Sequence, residues 1–269
     1  MPEEAWWGVP SAPEALVVEA AGARAWLRLD AFDTECFGIP MAKVEAAAGA
    51  RSGAVGLFAA CARVAGEQGW VHLAARVPSE QTDLVRALEE AGFYWVDATV
   101  IFGRRLVDTT GPGEVPIGLA LGEDLPVLQA LGRGAFRQSR YFVDPYLDPA
   151  GKDRLTDQWV ANALNGRADR VFVAEPKNPV GFAACRLDRR GRLATIDLIA
   201  VSSDSRGRGI GRSLVEAVCR HYEPIAERLE VGTQLANTQA VRLYEAAGCR
   251  LLRSYVTLHW VAPELRAGR

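Results

Sequence analysis

Apolar positions return along this chain in two alternating rhythms. Short apolar runs of strand length at Ala25–Leu29, Trp70–Ala75 and Tyr94–Phe102 alternate with Val55–Gln68 and Gln81–Ala91, where apolar residues recur at helical spacing. The rhythm resumes beyond residue 114. Helices are predicted near Glu123–Leu131 and over Lys152–Leu164, and strands over Arg170–Ala174, Val180–Arg186 and Leu193–Val201. A helix over Arg206–Tyr222 follows, with an inward stripe of Leu214, Val215, Val218, Cys219 and Tyr222. Strand, helix and strand close the pattern at Arg228–Thr233, Thr238–Ala247 and Arg250–Trp260. Between the two halves, Asp108-Thr-Thr-Gly-Pro-Gly-Glu-Val-Pro116 collects turn-forming residues, which places a smaller domain at 1–113 and a second at 114–269. Both halves alternate strands with helices, so the fold class is α/β (α+β). The pattern leaves open whether Trp6, Trp7 and Pro10 belong to an ordered element.

Laying residues 82–102 over 238–258 reveals an internal repeat. Thr82, Val85, Arg86, Glu89, Ala91, Gly92 and Val100 recur as Thr238, Val241, Arg242, Glu245, Ala247, Gly248 and Val256. The same helix–Gly–strand pattern in phase points to two copies of one architectural unit. The differences carry information too: Leu88 stands where Tyr244 stands, and the first half has no counterpart of the Gly-rich turn described below. The first copy is therefore expected to be degenerate.

Composition narrows the function classes. The 31 Lys and Arg against 33 Asp and Glu give a net charge of −2, without the basic excess that draws a protein to nucleic acid or an anionic membrane. No segment reaches the roughly 20 uncharged apolar residues of a membrane span, and the start lacks a basic signal region, so a cytoplasmic location is expected. The five cysteines, Cys36, Cys61, Cys185, Cys219 and Cys249, form neither a paired framework nor a CxxC spacing. They are expected to be reduced and structural, and no metal is called.

Chemistry concentrates after the strand ending at Val201. A short turn there leads into Arg206-Gly-Arg-Gly-Ile-Gly-Arg212, which opens a helix. The free N–H groups of a helix's first turn and the positive end of its dipole make an anion cradle. Gly207, Gly209 and Gly211 let a pyrophosphate approach the backbone, while Arg206, Arg208 and Arg212 add charge. The spacing is neither that of a dinucleotide-binding loop nor that of a P-loop. Leu198-Ile-Ala-Val201 followed by this turn resembles the pyrophosphate-binding motif of the GNAT superfamily of acyl-coenzyme A-dependent N-acetyltransferases, Gln/Arg-x-x-Gly-x-Gly/Ala. Arg206, Gly209 and Gly211 stand at its defining positions. The resemblance implies a mixed central sheet flanked by helices, acetyl-CoA as co-substrate, and contacts to it from Leu198, Ile199, Ala200, Val201, residues 206–212 (Ile210 among them) and Asn237.

Asn237-Thr-Gln-Ala-Val-Arg-Leu-Tyr-Glu-Ala-Ala-Gly-Cys249 resembles the superfamily's second diagnostic segment. From the residues alone, Asn237 is a good N-cap, Val241, Leu243 and Ala247 face a core, and Gly248 caps the C-terminus. By the resemblance, the Tyr244 hydroxyl protonates the leaving thiolate. The implied reaction is direct attack of a neutral amine on a thioester, with backbone N–H groups along Leu198–Val201 as oxyanion donors. For the base, period two sets Asp197 on one face with Thr195 and Ile199, from which it would act through water. His259 and His221 are weaker candidates, with nothing nearby in sequence to orient them.

A finer resemblance concerns the acceptor. Phe136-Arg-Gln-Ser-Arg-Tyr-Phe-Val-Asp-Pro145, Trp159-Val-Ala-Asn162, Val231-Gly-Thr-Gln-Leu-Ala-Asn-Thr238 and the early Asp33-Thr-Glu-Cys-Phe-Gly-Ile39 look like the bacterial dTDP-fucosamine N-acetyltransferases, which acetylate dTDP-4-amino-4,6-dideoxygalactose. On that footing Arg140 and Tyr141 are candidate substrate contacts, for a phosphate and a stacked ring. The expected partner is a small-molecule amine, with no nucleic acid or membrane and with a homodimer left open. A protein or antibiotic amine as acceptor, or a non-catalytic acyl-CoA sensor, are the alternatives.

Overall fold

A computed structural model describes residues 5–8, 15–107 and 115–267 of the chain. In chain order the elements are β1 (Ala5–Trp7), β2 (Leu16–Ala20), β3 (Ala23–Leu29), α1 (Ala31–Phe37), β4 (Met41–Gly49), α2 (Ala54–Glu67), β5 (His72–Pro78), α3 (Thr82–Glu90) and β6 (Tyr94–Arg105). They continue with β7 (Ile117–Leu119), α4 (Leu125–Ala135), α5 (Arg140–Val143), α6 (Pro149–Asn162), β8 (Arg170–Ala174), β9 (Gly181–Asp188), β10 (Leu193–Val201), α7 (Ile210–Tyr222), β11 (Arg228–Gln234), α8 (Thr238–Ala246), β12 (Arg250–Val261) and α9 (Pro263–Ala267).

The chain folds into two compact units, but one cut at 113/114 does not separate them. The first unit takes residues 1–99, 140–152 and 254–269, and the second takes 100–139 and 153–253. The physical reason lies in β6 and β12, two 12-residue strands that each run through both units. Most of the turn-rich junction, residues 108–114, lies outside the described residues.

In the first unit the sheet order is β2-β3-β4-β5 and then the end of β12. There β5 pairs antiparallel with β12 from Tyr255↔Pro78 to Val261↔His72. Its core gathers Leu27, Val44, Leu57, Phe58, Leu73, Leu84, Leu88 and Leu258. Trp6 and Trp7, undecided from the sequence, are buried on β1 against Phe58 at 5.9 and 5.8 Å between ring centroids.

In the second unit the order is β6-β11-β10-β9-β8-β7. One face packs under Leu214, Val215, Val218, Cys219 and Tyr222 of α7, the stripe expected from the sequence, together with Val100 and Phe102 of β6. The other face meets Leu128 of α4 and Val160 of α6. All five cysteines are buried and unbridged.

The repeat is present in the backbone. β5, α3 and β6 begin at residues 72, 82 and 94, and β11, α8 and β12 begin at 228, 238 and 250, a constant offset of 156. Gly92 and Gly248 both sit at positive φ, +89° and +77°, the left-handed turn that glycine adopts without strain. The bonds Phe93 N–H to Leu88 O and Cys249 N–H to Tyr244 O close the two helices in the same way.

Candidate active site

The second unit holds a cavity of about 910 Å³ between α4, α6, β10, β11, α7 and α8. It exists because β10 and β11 part. Their parallel ladder runs from Leu193↔Arg228 to Ile196↔Val231 and stops there. Beyond it, residues 197–201 and 232–234 diverge, and both stretches line the cavity. The backbone donors of β10 on that side are thereby released from a strand partner.

The strand itself changes step at this point. Its pairing with β9 runs Ile196↔Cys185 and then Leu198↔Ala184, so Asp197 is the extra residue of a β-bulge. Ala194 and Ile196 pack with α7, and after the bulge Ile199 and Val201 do so, while Leu198 and Ala200 join the opposite face. The expectation that Thr195, Asp197 and Ile199 share one face is therefore corrected: the inserted residue reverses the period-two phase. Asp197 lines the cavity, and its carboxylate accepts two N–H bonds from Arg186, one at 2.7 Å. It is the only carboxylate among the described residues of the lining.

The Gly-rich turn differs from the expected helix start. α7 begins at Ile210 rather than Arg206, because Gly207 and Gly209 hold φ of +77° and +74°, outside the helical region. The first intrahelical bond runs from Ser213 N–H to Gly209 O, so the N–H groups of Ile210, Gly211 and Arg212 open outward. Gly211 has a separate reason to be glycine: a Cβ there would lie 3.0 Å from Cδ2 of Leu243 on α8. Arg206, Gly207, Gly209, Ile210, Gly211 and Arg212 line the cavity, whereas Arg208 is paired with Glu175 at 2.9 Å and does not. Arg212 also bonds Glu216 at 2.7 Å. This turn suits a pyrophosphate by its glycine conformations, outward amides and flanking arginines.

Asn237 caps α8 by accepting a bond from Ala240 N–H at 3.2 Å, and it lines the cavity. About two helical turns further, Tyr244 is buried at 1% exposure and reaches the same cavity. Its ring lies 5.8 Å from that of Phe102, and its hydroxyl has no hydrogen-bond partner among the described residues. Burial, with Cys249 adding to it, pushes the phenol well above its ordinary value, so the oxygen keeps its proton.

Arg140 and Tyr141, expected at the substrate, are placed elsewhere. They lie in the first unit and are absent from the cavity wall. The Tyr141 hydroxyl donates to Asp33 at 2.7 Å, its ring stacks on Phe37 at 5.8 Å, and the Arg140 guanidinium lies over the Tyr141 ring. The correction has a simple cause: Asp33 on α1 supplies a buried acceptor that local sequence around Arg140 does not reveal. The histidines are also absent from the cavity lining. His221 stacks edge-on to Phe172 and Tyr222, and burial lowers its pKa. His259 is fully buried in the first unit, where burial holds its imidazole down to about 3. The strings quoted for the acceptor resemblance contain Arg137 and Gln138 after α4, Trp159 on α6, and Thr233 and Gln234 on β11, none of which was given a role from the sequence, and all of them line the cavity together with Arg167, which the sequence did not single out.

A splayed pair of parallel strands, a glycine turn at the mouth of the following helix and a tyrosine from the next helix together define the GNAT fold, that of the acetyltransferases of this name. Residues 136–249 match the model of the Acetyltransferase (GNAT) family. Among curated proteins, the chain is 33% identical over 145 residues to the spore coat polysaccharide biosynthesis protein SpsD of Bacillus subtilis, covering 53% of this chain and 50% of that protein. The chain spans about half the length of the curated relatives it matches. Among solved structures, a GCN5-related N-acetyltransferase from Sphaerobacter thermophilus superposes with a TM-score of 0.66 at 18% identity, over 95% of this chain and 83% of that one. A tandem GNAT protein from the clavulanic acid biosynthesis pathway gives a TM-score of 0.57 at 17% identity, over 94% of this chain and 85% of that one. No helix among the described residues is long and apolar enough to cross a membrane.

Proposed function

We propose that the protein transfers the acetyl group of acetyl-CoA to the primary amine of a small, nucleotide-linked or free amino sugar in the cytoplasm. The observation that carries the reading is the shared cavity, where the outward amides of the 207–212 turn, the released strand of β10 and the protonated hydroxyl of Tyr244 all meet. Acetyl-CoA supplies a thioester carbonyl open to attack by the amine. The turn, with Arg206 and Arg212, holds a pyrophosphate by charge-assisted bonds. Amides of residues 197–201 donate to the oxygen that gains charge as the C–N bond forms. When the C–S bond breaks, Tyr244 gives its proton to the sulfur, and Asp197, through water, takes the proton lost by the amine.

An amino sugar is favoured by two observations. The similar Bacillus protein is named for polysaccharide biosynthesis. The cavity lining also presents Phe136 and Trp159, with ring centroids 6.0 Å apart, together with Arg137 and Arg167. Apolar rings and cations together suit a sugar that carries an anionic group. Arg140 and Tyr141 have no part in this reading. The test is thiol release from acetyl-CoA with a panel of dTDP-amino sugars, simple amino sugars, aminoglycosides and peptide amines. Turnover with an amino sugar supports the reading, turnover only with peptides replaces the acceptor, and absence of coenzyme binding overturns it.

A further inference from the structure

The first unit contains a polar cluster that the transfer reaction does not use. His72 stands at the start of β5 and His259 near the end of β12. In the antiparallel register His72 faces Val261 and His259 faces Ala74, so the two imidazoles are diagonal neighbours on one face of the strand pair. Asp144, just after α5, comes onto that face from above. All three residues are buried, at 1%, 0% and 0% exposure. His72 Nε2 lies 3.1 Å from His259 Nδ1, His259 Nδ1 lies 2.6 Å from Asp144 Oδ2, and His72 Nε2 lies 3.6 Å from that same oxygen.

Protons alone satisfy this triangle poorly. If His259 Nδ1–H donates to Asp144, then His259 Nε2 is a bare lone pair, and it is buried without a partner. His72 Nε2 then either competes for the same hydrogen or aims an N–H at another N–H. Its own Nδ1 is likewise buried without a partner. The Asp144 oxygen also accepts the Tyr94 hydroxyl at 2.9 Å, and its second oxygen is held by Tyr146 N–H at 2.8 Å. With His72 protonated on Nδ1, one hydrogen serves three converging acceptor atoms; with His72 protonated on Nε2, that N–H is left 3.6 Å from the carboxylate oxygen and 3.1 Å from another N–H.

A cation removes the conflict among the three converging atoms, because each then offers a lone pair to one centre, while His259 Nε2 and His72 Nδ1 become the protonated outer nitrogens of the two ligands and gain no acceptor by it. The distances allow it. A triangle with these edges has a circumradius of about 1.8 Å, so a point about 2.05 Å from all three atoms lies about 0.9 Å out of their plane. In a regular tetrahedral site with that bond length the three-ligand circumradius is about 1.9 Å. We propose that His72, Asp144 and His259 form a binding site for a divalent transition metal of the zinc class, which pins the segment carrying Asp144 to the β5–β12 strand pair. Two imidazole nitrogens with one carboxylate oxygen are a borderline donor set that suits zinc better than calcium or magnesium. The same segment is otherwise tied by Lys152, whose ammonium donates to the carbonyls of Phe142 and Asp144 at 3.1 Å each. The site is independent of the acetyl-transfer reading.

The test uses the full chain without a polyhistidine tag, stripped with a chelator and titrated with zinc chloride alone. Cobalt(II) serves as a spectroscopic substitute, and thermal melts are recorded throughout. The expected result is about one equivalent bound, weak visible cobalt bands of a low-coordinate N/O site, and a melting temperature that rises with zinc. Free zinc at a hundredfold excess over the dissociation constant shifts the folded-to-unfolded ratio by about a hundredfold. Asp144→Asn and His259→Gln are each expected to weaken zinc binding by at least about tenfold to a hundredfold. Less than about a tenth of an equivalent on the unaltered chain, with an unmoved melting temperature, overturns the proposal. So does a cobalt–thiolate band, which would place the ion on a cysteine. Titration of the unaltered chain decides the matter even where a variant fails to fold.

Discussion

Replacing Tyr244 with Phe isolates one oxygen atom in the cavity wall. The hydroxyl has no hydrogen-bond partner among the described residues and the ring is buried against Phe102, so the substitution removes an atom without cutting a hydrogen bond seen there or opening a void of a side chain's size. Stability is expected to move by less than about 1 kcal/mol, in either direction. Catalysis is expected to fall much further. Loss of a positioned general acid lowers a rate by about 10²- to 10⁴-fold, or about 3–5 kcal/mol of barrier. The sign of the perturbed pKa agrees: burial raises it, so the proton is retained at neutral and mildly alkaline pH, and the wild-type rate should show no decline from Tyr244 ionisation there. The assay pairs steady-state thiol release with calorimetric binding of coenzyme A and a thermal melt. A rate within about threefold of wild type, with binding and melting unchanged, would refute the acid role. A large loss of coenzyme affinity would show that Tyr244 holds the ligand rather than serving its chemistry.

The remaining predictions address the turn, the base and the division of the chain. Gly209→Asp puts a side chain at φ of +74° and a carboxylate where a phosphate is to sit; it should cost about 1–2 kcal/mol in stability and abolish coenzyme binding in a calorimetric titration. Asp197→Asn should reduce kcat at least about tenfold with coenzyme affinity intact, and an unchanged kcat would remove it as the base. Gly211→Val should lower the melting temperature through the Leu243 contact, by about 1–3 kcal/mol of overpacking. A chain cut to residues 114–269 lacks Val100, Phe102 and Leu106 from the core of the second unit, about 5–8 kcal/mol of apolar burial, and should not melt cooperatively.

The elements were legible in the sequence because their apolar periods are clean, and the repeat was legible because the offset of 156 is kept without insertion from β5 to β6 and β11 to β12. Local pattern failed where a second segment decides the outcome. The helix after Val201 starts late since two glycines turn left-handed, and the bulge at Asp197 is set by pairing with β9. Arg140 and Tyr141 carry the residue types of a phosphate and ring contact, but Tyr141 bonds Asp33 from 108 residues away. His259 was read as having nothing to orient it because Asp144 lies 115 residues upstream and His72 187. The pairing of β5 with the end of β12 was hidden for the same reason: apolar patterning identifies a strand without naming its neighbour.

The pairing of β5 with the end of β12 sets a schedule for folding during synthesis. β5 is complete at Pro78, while the part of β12 that pairs with it starts at Tyr255, 177 residues later. At about 5–20 residues per second, the edge of β5 waits on the order of 9–35 s for its final partner. An apolar strand edge left unpaired for so long is a template for association with another chain.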